Sequence, residues 1–230
     1  MNILTLDSSG EVVSAALAGK GGSWCIEIED WQSHSELLLE CASYLLKTAG
    51  LVPGDLNLVS CMKGPGSFTG LRIGFSTAKG IAMALGVPLV SIPTLDCLAH
   101  PFSMWPGIVV PVIDAKKGCF FAAIYRNGKP LTDYQDSSPE TLVKETVKLI
   151  DFPDEPILLT GGGAGLLFPS FVSLFPEGKI KLDPGYRRGS AKELLEMVKN
   201  AKLEGLNDIN MGPVYLRKSD AELNLKVDGK

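Results

Sequence analysis

Four stretches hold the residue types and spacings that could do chemistry. Asp7 and Ser8 end an opening apolar run, and Asp114 ends a second such run, Ile108–Asp114. Gly64 to Gly74 reads G-P-G-S-F-T-G-L-R-I-G, and Gly161, Gly162 and Gly163 follow the apolar run Pro156–Thr160. A glycine turn that opens a helix frees backbone N–H groups at the positive end of the helix dipole, where an anion is stabilised. The Lys-Ser/Thr pair of a P-loop is missing, because Leu71-Arg72 stands in its place. Each stretch also has a purely structural reading: a tight turn that lets a glycine-rich helix pack closely, an Asp/Ser hairpin corner, a plain loop entering a helix. A histidine metal site needs a second ligand about one turn away. Position i+4 from His34 is Leu38, and His100 is remote in sequence. The five cysteines, Cys25, Cys41, Cys61, Cys97 and Cys119, are odd in number and contain no C-x-x-C pair. That speaks against a disulfide framework or a zinc ribbon and for buried free thiols.

The elements that must position these residues follow from pattern. Asn2–Asp7, Val12–Leu17 and Trp24–Ile28 read as three strands joined by glycine turns, the start of an antiparallel meander. Ser33 and Glu36 have capping-box spacing, so a helix runs from there to Ala49 with Gly50 beyond its end. The apolar run Leu56–Met62 enters the Gly64 turn, which opens a helix to Leu85, closed by Gly86. The first helix is apolar over more than one stripe, and the second carries Gly70, Gly74 and Gly80 in its interior. An interior glycine costs about 1 kcal/mol against alanine, so it needs a reason such as close approach of another element. After Pro101 and Pro106, strands begin again: Ile108–Asp114 echoes Asn2–Asp7, Phe120–Tyr125 follows, and Asn127-Gly128 makes a hairpin turn. A helix over Pro139–Leu149 and a last amphipathic helix capped by Ser190 and ended by Gly205 complete the pattern.

The chain has 230 residues, is 45% hydrophobic and carries a formal net charge of −4, enough for a sizeable core but without a basic stripe. A stand-alone RNA binder needs clustered Lys and Arg to displace phosphate counterions, and no cluster here exceeds Lys116-Lys117 or Arg187-Arg188. No segment has the roughly 20 consecutive apolar residues that a bilayer span requires, nor is there a leader-like start at Met1, so the expectation is a cytoplasmic protein.

Gly64–Gly74 resembles the signature of the TsaB (YeaZ) family, which belongs to the bacterial machinery that makes threonylcarbamoyladenosine in certain tRNAs. M-N-I-L-T-L-D-S-S, H-S-E-L-L-L, V-V-P-V-I-D-A-K-K-G and P-V-Y-L-R-K-S-D-A-E are similar to further family blocks, so the resemblance samples the chain from Met1 to Glu222. It implies an α/β, duplicated actin-like (ASKHA, ribonuclease H-like) fold, with two mixed-sheet lobes at residues 1–102 and 103–230 and helices on their faces. It also implies a non-catalytic subunit that partners a TsaD-like catalytic subunit and a TsaE-like ATPase, forms a homodimer when alone, and meets tRNA only through the complex. In the family the first two helices form a bundle with the partner, which makes Leu38, Cys41, Leu45, Phe68, Gly70, Arg72, Gly74, Thr77 and Ala78 the expected interface. In related ATPases the first strand ends on a metal-water or phosphate contact and a later glycine run approaches adenosine. Asp7, Ser8, Gly64, Gly66, Ser67, Gly161, Gly162 and Gly163 are then candidates for weak ATP or ADP binding with magnesium, although no cofactor is required. Gly118-Cys119-Phe120-Phe121 departs from the family's usual Gly-Glu-Val-Tyr. The alternatives are an actin-like ATPase or phosphotransferase and, against the missing histidine pair, a metallopeptidase of the glycoprotease type.

Overall fold

The computed structural model describes residues 1–29, 34–186, 189–201 and 206–217. Strands β1 (Ile3–Asp7), β2 (Val12–Gly19) and β3 (Gly22–Glu29) form the antiparallel meander. β1 and β2 are apolar almost without interruption because both faces of each are covered, whereas the edge strand β3 alternates exposed and half-buried residues. Helix α1 (His34–Thr48) leads to β4 (Leu58–Gly64), which pairs with β1 in parallel; α2 (Phe68–Leu85) leads to β5 (Leu89–Pro93), parallel to β4. The sheet order is β3-β2-β1-β4-β5. α2 starts where the Ser67 hydroxyl accepts from Gly70 N, and it stops at Gly86, which is left-handed at φ 67°.

A short helix, α3 (Thr94–Ala99), crosses to the second sheet, which begins with β6 (Ile108–Asp114), β7 (Phe120–Ala122), β8 (Tyr125–Arg126), β9 (Lys129–Pro130) and β10 (Gln135–Ser137). α4 (Pro139–Lys148), β11 (Ile157–Thr160), α5 (Ala164–Val172), β12 (Ile180–Leu182) and α6 (Ala191–Asn200) follow. The order β10-β7-β6-β11-β12 repeats that of the first sheet: the opening strand is central, antiparallel to its neighbour on one side and parallel on the other. The echo between β1 and β6 is thus a repeat of topology. The expected strand Phe120–Tyr125 is broken in two, because Ile124 leaves the ladder and bonds instead to Thr132 Oγ1 (3.0 Å) and Leu131 N (2.7 Å).

Packing is layered. α1 and α2 cover the outer face of the first sheet, where Leu4, Leu6, Val13 and Leu17 meet Leu38, Leu45, Phe75 and Ala78. α4 and α5 cover the outer face of the second sheet. Between the sheets lie α3, with Leu95 and Ala99 against Val109 and Tyr125, and α6, with Leu194, Leu195 and Val198 against Ile3, Leu58 and Val90. The first sheet is drawn from strands up to Pro93 and the second from strands after Gly107, while α6 returns from the later part of the chain to complete the first sheet's packing. Ser33 of the capping box, the His34 side chain, Arg187-Arg188, Gly205 and the terminal residues 218–230 lie outside the described residues. Among those described, no helix is long and apolar enough to cross a membrane.

Candidate functional site

The glycine turn is built against the corner between β1 and β2. Ser67 N donates to the Ser9 carbonyl at 2.8 Å, and the Ser8 hydroxyl donates to the Gly70 carbonyl at 2.8 Å. A Cβ at Gly70 would overlap the Ser8 carbonyl oxygen, one at Gly66 would stand 2.7 Å from the Ser9 carbonyl oxygen, and one at Gly74 2.8 Å from the Ser8 hydroxyl. These glycines exist so that the Ser8-Ser9 corner can lie on the start of α2. Several amides at this helix end are already engaged: Ser67 N by Ser9, Gly70 N by the Ser67 hydroxyl at 3.3 Å, and Leu71 N by the Ser67 carbonyl at 2.8 Å. The glycine run after β11 has a similar purpose. A Cβ at Gly161 would stand 2.6 Å from the Val112 carbonyl oxygen, and one at Gly163 2.8 Å from Asp114 N.

Between the lobes lies a cavity of about 470 Å³ at the carboxyl ends of β1 and β6. Asp7, Gly66, Ser67, Gly162 and Asp114 all line it. Ser8, Gly64, Gly161 and Gly163 are not among its lining residues; they hold the turns in place around it. Asp7 is buried, with Oδ1 accepting from Ser9 N (2.8 Å) and the Ser9 hydroxyl (2.6 Å), and Oδ2 accepting from Ser190 N (3.1 Å). Burial pushes its carboxyl above the ordinary 3.8, against these hydrogen bonds, which pull it down. Asp114 accepts from Lys116 N at 2.7 Å and Lys116 Nζ at 2.8 Å, and the hydrogen bond from that carboxylate holds the Lys116 ammonium above its usual range. Lys116, Lys117 and Gly118 are successively left-handed (φ 61°, 56° and 74°), a turn that costs a non-glycine residue roughly 1–2 kcal/mol. The bonds to Asp114 help hold it.

Sequence reasoning missed three features here. Thr94 is 2% exposed and lines the cavity, yet its hydroxyl has no hydrogen-bond partner among the described residues. Ser190 reaches Asp7 from 183 residues away, which no local pattern could reveal. The block Val214–Arg217 forms one wall of the cavity. Arg217 meets both oxygens of Asp136, at 2.6 and 2.8 Å, and that carboxylate, with a smaller contribution from Cys119, holds its guanidinium above the usual range. The departure at Cys119 therefore leaves no uncompensated cation, because Asp136 supplies the carboxylate. Among the described residues, no group of three His, Cys, Asp or Glu is placed to hold a metal ion.

Most of the residues expected at the partner interface are turned inward in this chain. Leu38, Cys41, Leu45 and Ala78 are at most 3% exposed and form the core beneath α1 and α2. Gly70 and Gly74 face Ser8 of their own chain. The apolar width of α1 and the small residues of α2 are thus largely accounted for within this chain. Phe68 and Arg72 are engaged by Tyr215: the Phe68 and Tyr215 rings lie 4.5 Å apart, and the Arg72 guanidinium sits 4.0 Å above the Phe68 ring. What α1 and α2 leave outside is a different set: Leu39, Tyr44 and Met83, at 51%, 63% and 64% exposure, with Gly80, where an added Cβ meets open space, and Thr77 half-buried.

Residues 30–163 match the family described as TsaD: tRNA N6-adenosine threonylcarbamoyltransferase. The chain is 27% identical over 167 residues to the tRNA threonylcarbamoyladenosine biosynthesis protein TsaB of Bacillus subtilis (strain 168), covering 72% of this chain and 73% of that protein. Its fold is similar to YeaZ from Pseudomonas aeruginosa, with a TM-score of 0.77 and 25% identity over 94% of this chain and 99% of that one. It is also similar, at a TM-score of 0.50 and 10% identity over 87% and 96% of the two chains, to a Bacteroides thetaiotaomicron protein with an actin-like ATPase fold.

Proposed function

The chain belongs to the TsaD family, and within it to the TsaB (YeaZ) proteins of tRNA threonylcarbamoyladenosine biosynthesis with their actin-like fold; from that premise we propose that it is a non-catalytic partner subunit. In this reading it docks a TsaD-like catalytic subunit and supports it together with a TsaE-like ATPase. A second copy of the chain takes the same surface when the partner is absent, and tRNA is reached through the complex. The observation that carries the reading is the outer surface of α1 and α2. Three large apolar side chains, Leu39, Tyr44 and Met83, are more than half exposed on two helices that pack side by side, and Gly80 leaves room for a close approach. Exposed apolar groups favour association because docking removes them from water.

The test is co-purification with the TsaD-like protein of the same organism. Gly80→Asp places a charge in open space, so the variant is expected to keep its melting temperature and lose the partner. Retained binding with an intact fold would sink the assignment of this surface.

A second reading is favoured by the cavity. Asp7, Asp114, Gly66 and Gly162 converge on it, and the unpartnered Thr94 hydroxyl can accept or donate a bond to a polar ligand. We infer that a nucleotide with magnesium would be held here weakly, since Asp7 already accepts from Ser9 and Ser190 and the amides of Ser67 and Gly70 are engaged. Calorimetric titration of the isolated chain with Mg-ATP tests it. Micromolar affinity with turnover would favour an ATPase or phosphotransferase over a subunit without chemistry of its own.

A further inference from the structure

One stretch of irregular backbone, residues 206–217, runs from the first lobe to the second across the mouth of the cavity. It begins on the first sheet, where Asp208 N donates to the Leu89 carbonyl at 2.7 Å. The Asp208 carboxylate accepts from the Ser91 amide at 2.8 Å and the Ser91 hydroxyl at 2.6 Å. It continues past β4, where Val214 N donates to the Lys63 carbonyl at 2.7 Å, and then lays Tyr215 against Phe68. It ends on the second lobe. There Arg217 Nε and Nη2 donate to the two Asp136 oxygens at 2.6 and 2.8 Å, and Nη1 donates to the Ala115 carbonyl at 3.1 Å.

We propose that Val214–Arg217 is a detachable latch over the interlobe cavity, and that the Arg217–Asp136 pair is its catch. The two ends are held very differently. At the first lobe the backbone sits in a slot made by Gly64, which has φ +108° and whose Cβ, if present, would overlap the Val214 carbonyl oxygen. That fit, with the Asp208 bonds, fixes the near end. At the second lobe, among the described residues, no backbone hydrogen bond ties 215–217 down, and the hold comes from one guanidinium.

A bidentate guanidinium–carboxylate pair is strong and directional. This one is partly buried, and it joins Arg217 to a single edge strand, β10. Segments with little buried apolar area and few backbone bonds open locally at far lower cost than core strands. Val214 and Tyr215 are partly exposed, whereas the β1 residues beneath the cavity are buried. Lifting the latch removes one wall of the cavity and uncovers Asp7 and the lone Thr94 hydroxyl, so this segment governs whether a solute reaches them. The inference does not depend on the partner-subunit reading.

The structure supplies its own reporter. The Cys119 thiol is close enough to Arg217 to act on its guanidinium and is half-buried, while Cys61 and Cys97 are fully buried. The experiment uses the full chain carrying Cys25→Ser, which removes the exposed thiol. It follows labelling of Cys119 by an aromatic disulfide and chymotryptic cleavage after Tyr215 under native conditions. Asp136→Asn and Arg217→Ala are each expected to speed both readings by about tenfold or more, as loss of a charge-assisted pair implies. The double variant should be no faster than either single one, because both remove the same catch. Labelling of Cys61 and Cys97 should not change. Unaltered rates in the single variants, an effect from only one of them, or additive effects in the double variant would overturn the catch. Parallel acceleration at Cys61 would overturn the latch, since the segment would then open only with the whole molecule.

Discussion

Asp7 has two opposed demands on it. Its position at the end of β1 puts it inside the molecule, where an ionised carboxylate is costly, and hydrogen bonds from Ser9 and Ser190 offset only part of that cost. Its folded pKa is therefore raised above the ordinary 3.8. For an acid shifted upward, the stabilising contribution is complete below the unfolded value and is lost as pH climbs through the folded one. The unfolding free energy of the wild type relative to Asp7→Asn should thus be most favourable in acid and decline as pH rises above 3.8. Denaturant titrations of both proteins at several pH values measure that difference. A flat or rising difference would mean that the buried carboxyl is not the titrating group.

At the scale of elements, α2 contains glycines of two kinds. Gly70 and Gly74 are turned inward onto the Ser8 corner, while Gly80 is turned outward into open space. Composition along the helix cannot distinguish them, but substitution can. Gly70→Ala must push the β1–β2 corner away from α2 and is expected to cost about 1–3 kcal/mol or more, the range for overpacking a filled site. Thermal unfolding checks this, and an unchanged melting temperature would refute the close approach. An alanine at Gly80 relieves backbone freedom without a clash and should stabilise by up to about 1 kcal/mol. The same contrast explains why a charge at Gly74 would not probe partner binding: it would strike Ser8 first.

At the scale of the molecule, the chain crosses between lobes more than once. α3 leaves the first sheet to cover the second, and Asp96 on it accepts hydrogen bonds from Tyr125 and Tyr134 of the second lobe. Both phenols are held well above their usual range by burial and by that carboxylate. α6 makes the return journey. Leu194 is fully buried among residues of the first sheet, so Leu194→Ala is expected to cost about 2–5 kcal/mol, as for other large-to-small changes in a core. Urea unfolding measures it. A cost below about 1 kcal/mol would be too small for a helix seated on that sheet.

The sequence alone determined the element types, the two-lobed α/β plan and the family, because those follow from local periodicity, turn chemistry and blocks of contiguous residues. The strand ends at Asp7 and Asp114 and the glycine turn were all legible in it. Which side chains those helices keep for themselves was not. Leu38 and Leu39 are adjacent and identical in type, yet one is core and the other is half in water. That assignment depends on how α1 is rotated over the sheet, and only the packed tertiary structure fixes the rotation. The inward purpose of Gly70 and Gly74, the lone hydroxyl of Thr94 and the joining of Arg217 to Asp136 were decided there too. Each is a contact between residues far apart in the chain, and such contacts leave no mark on either local pattern.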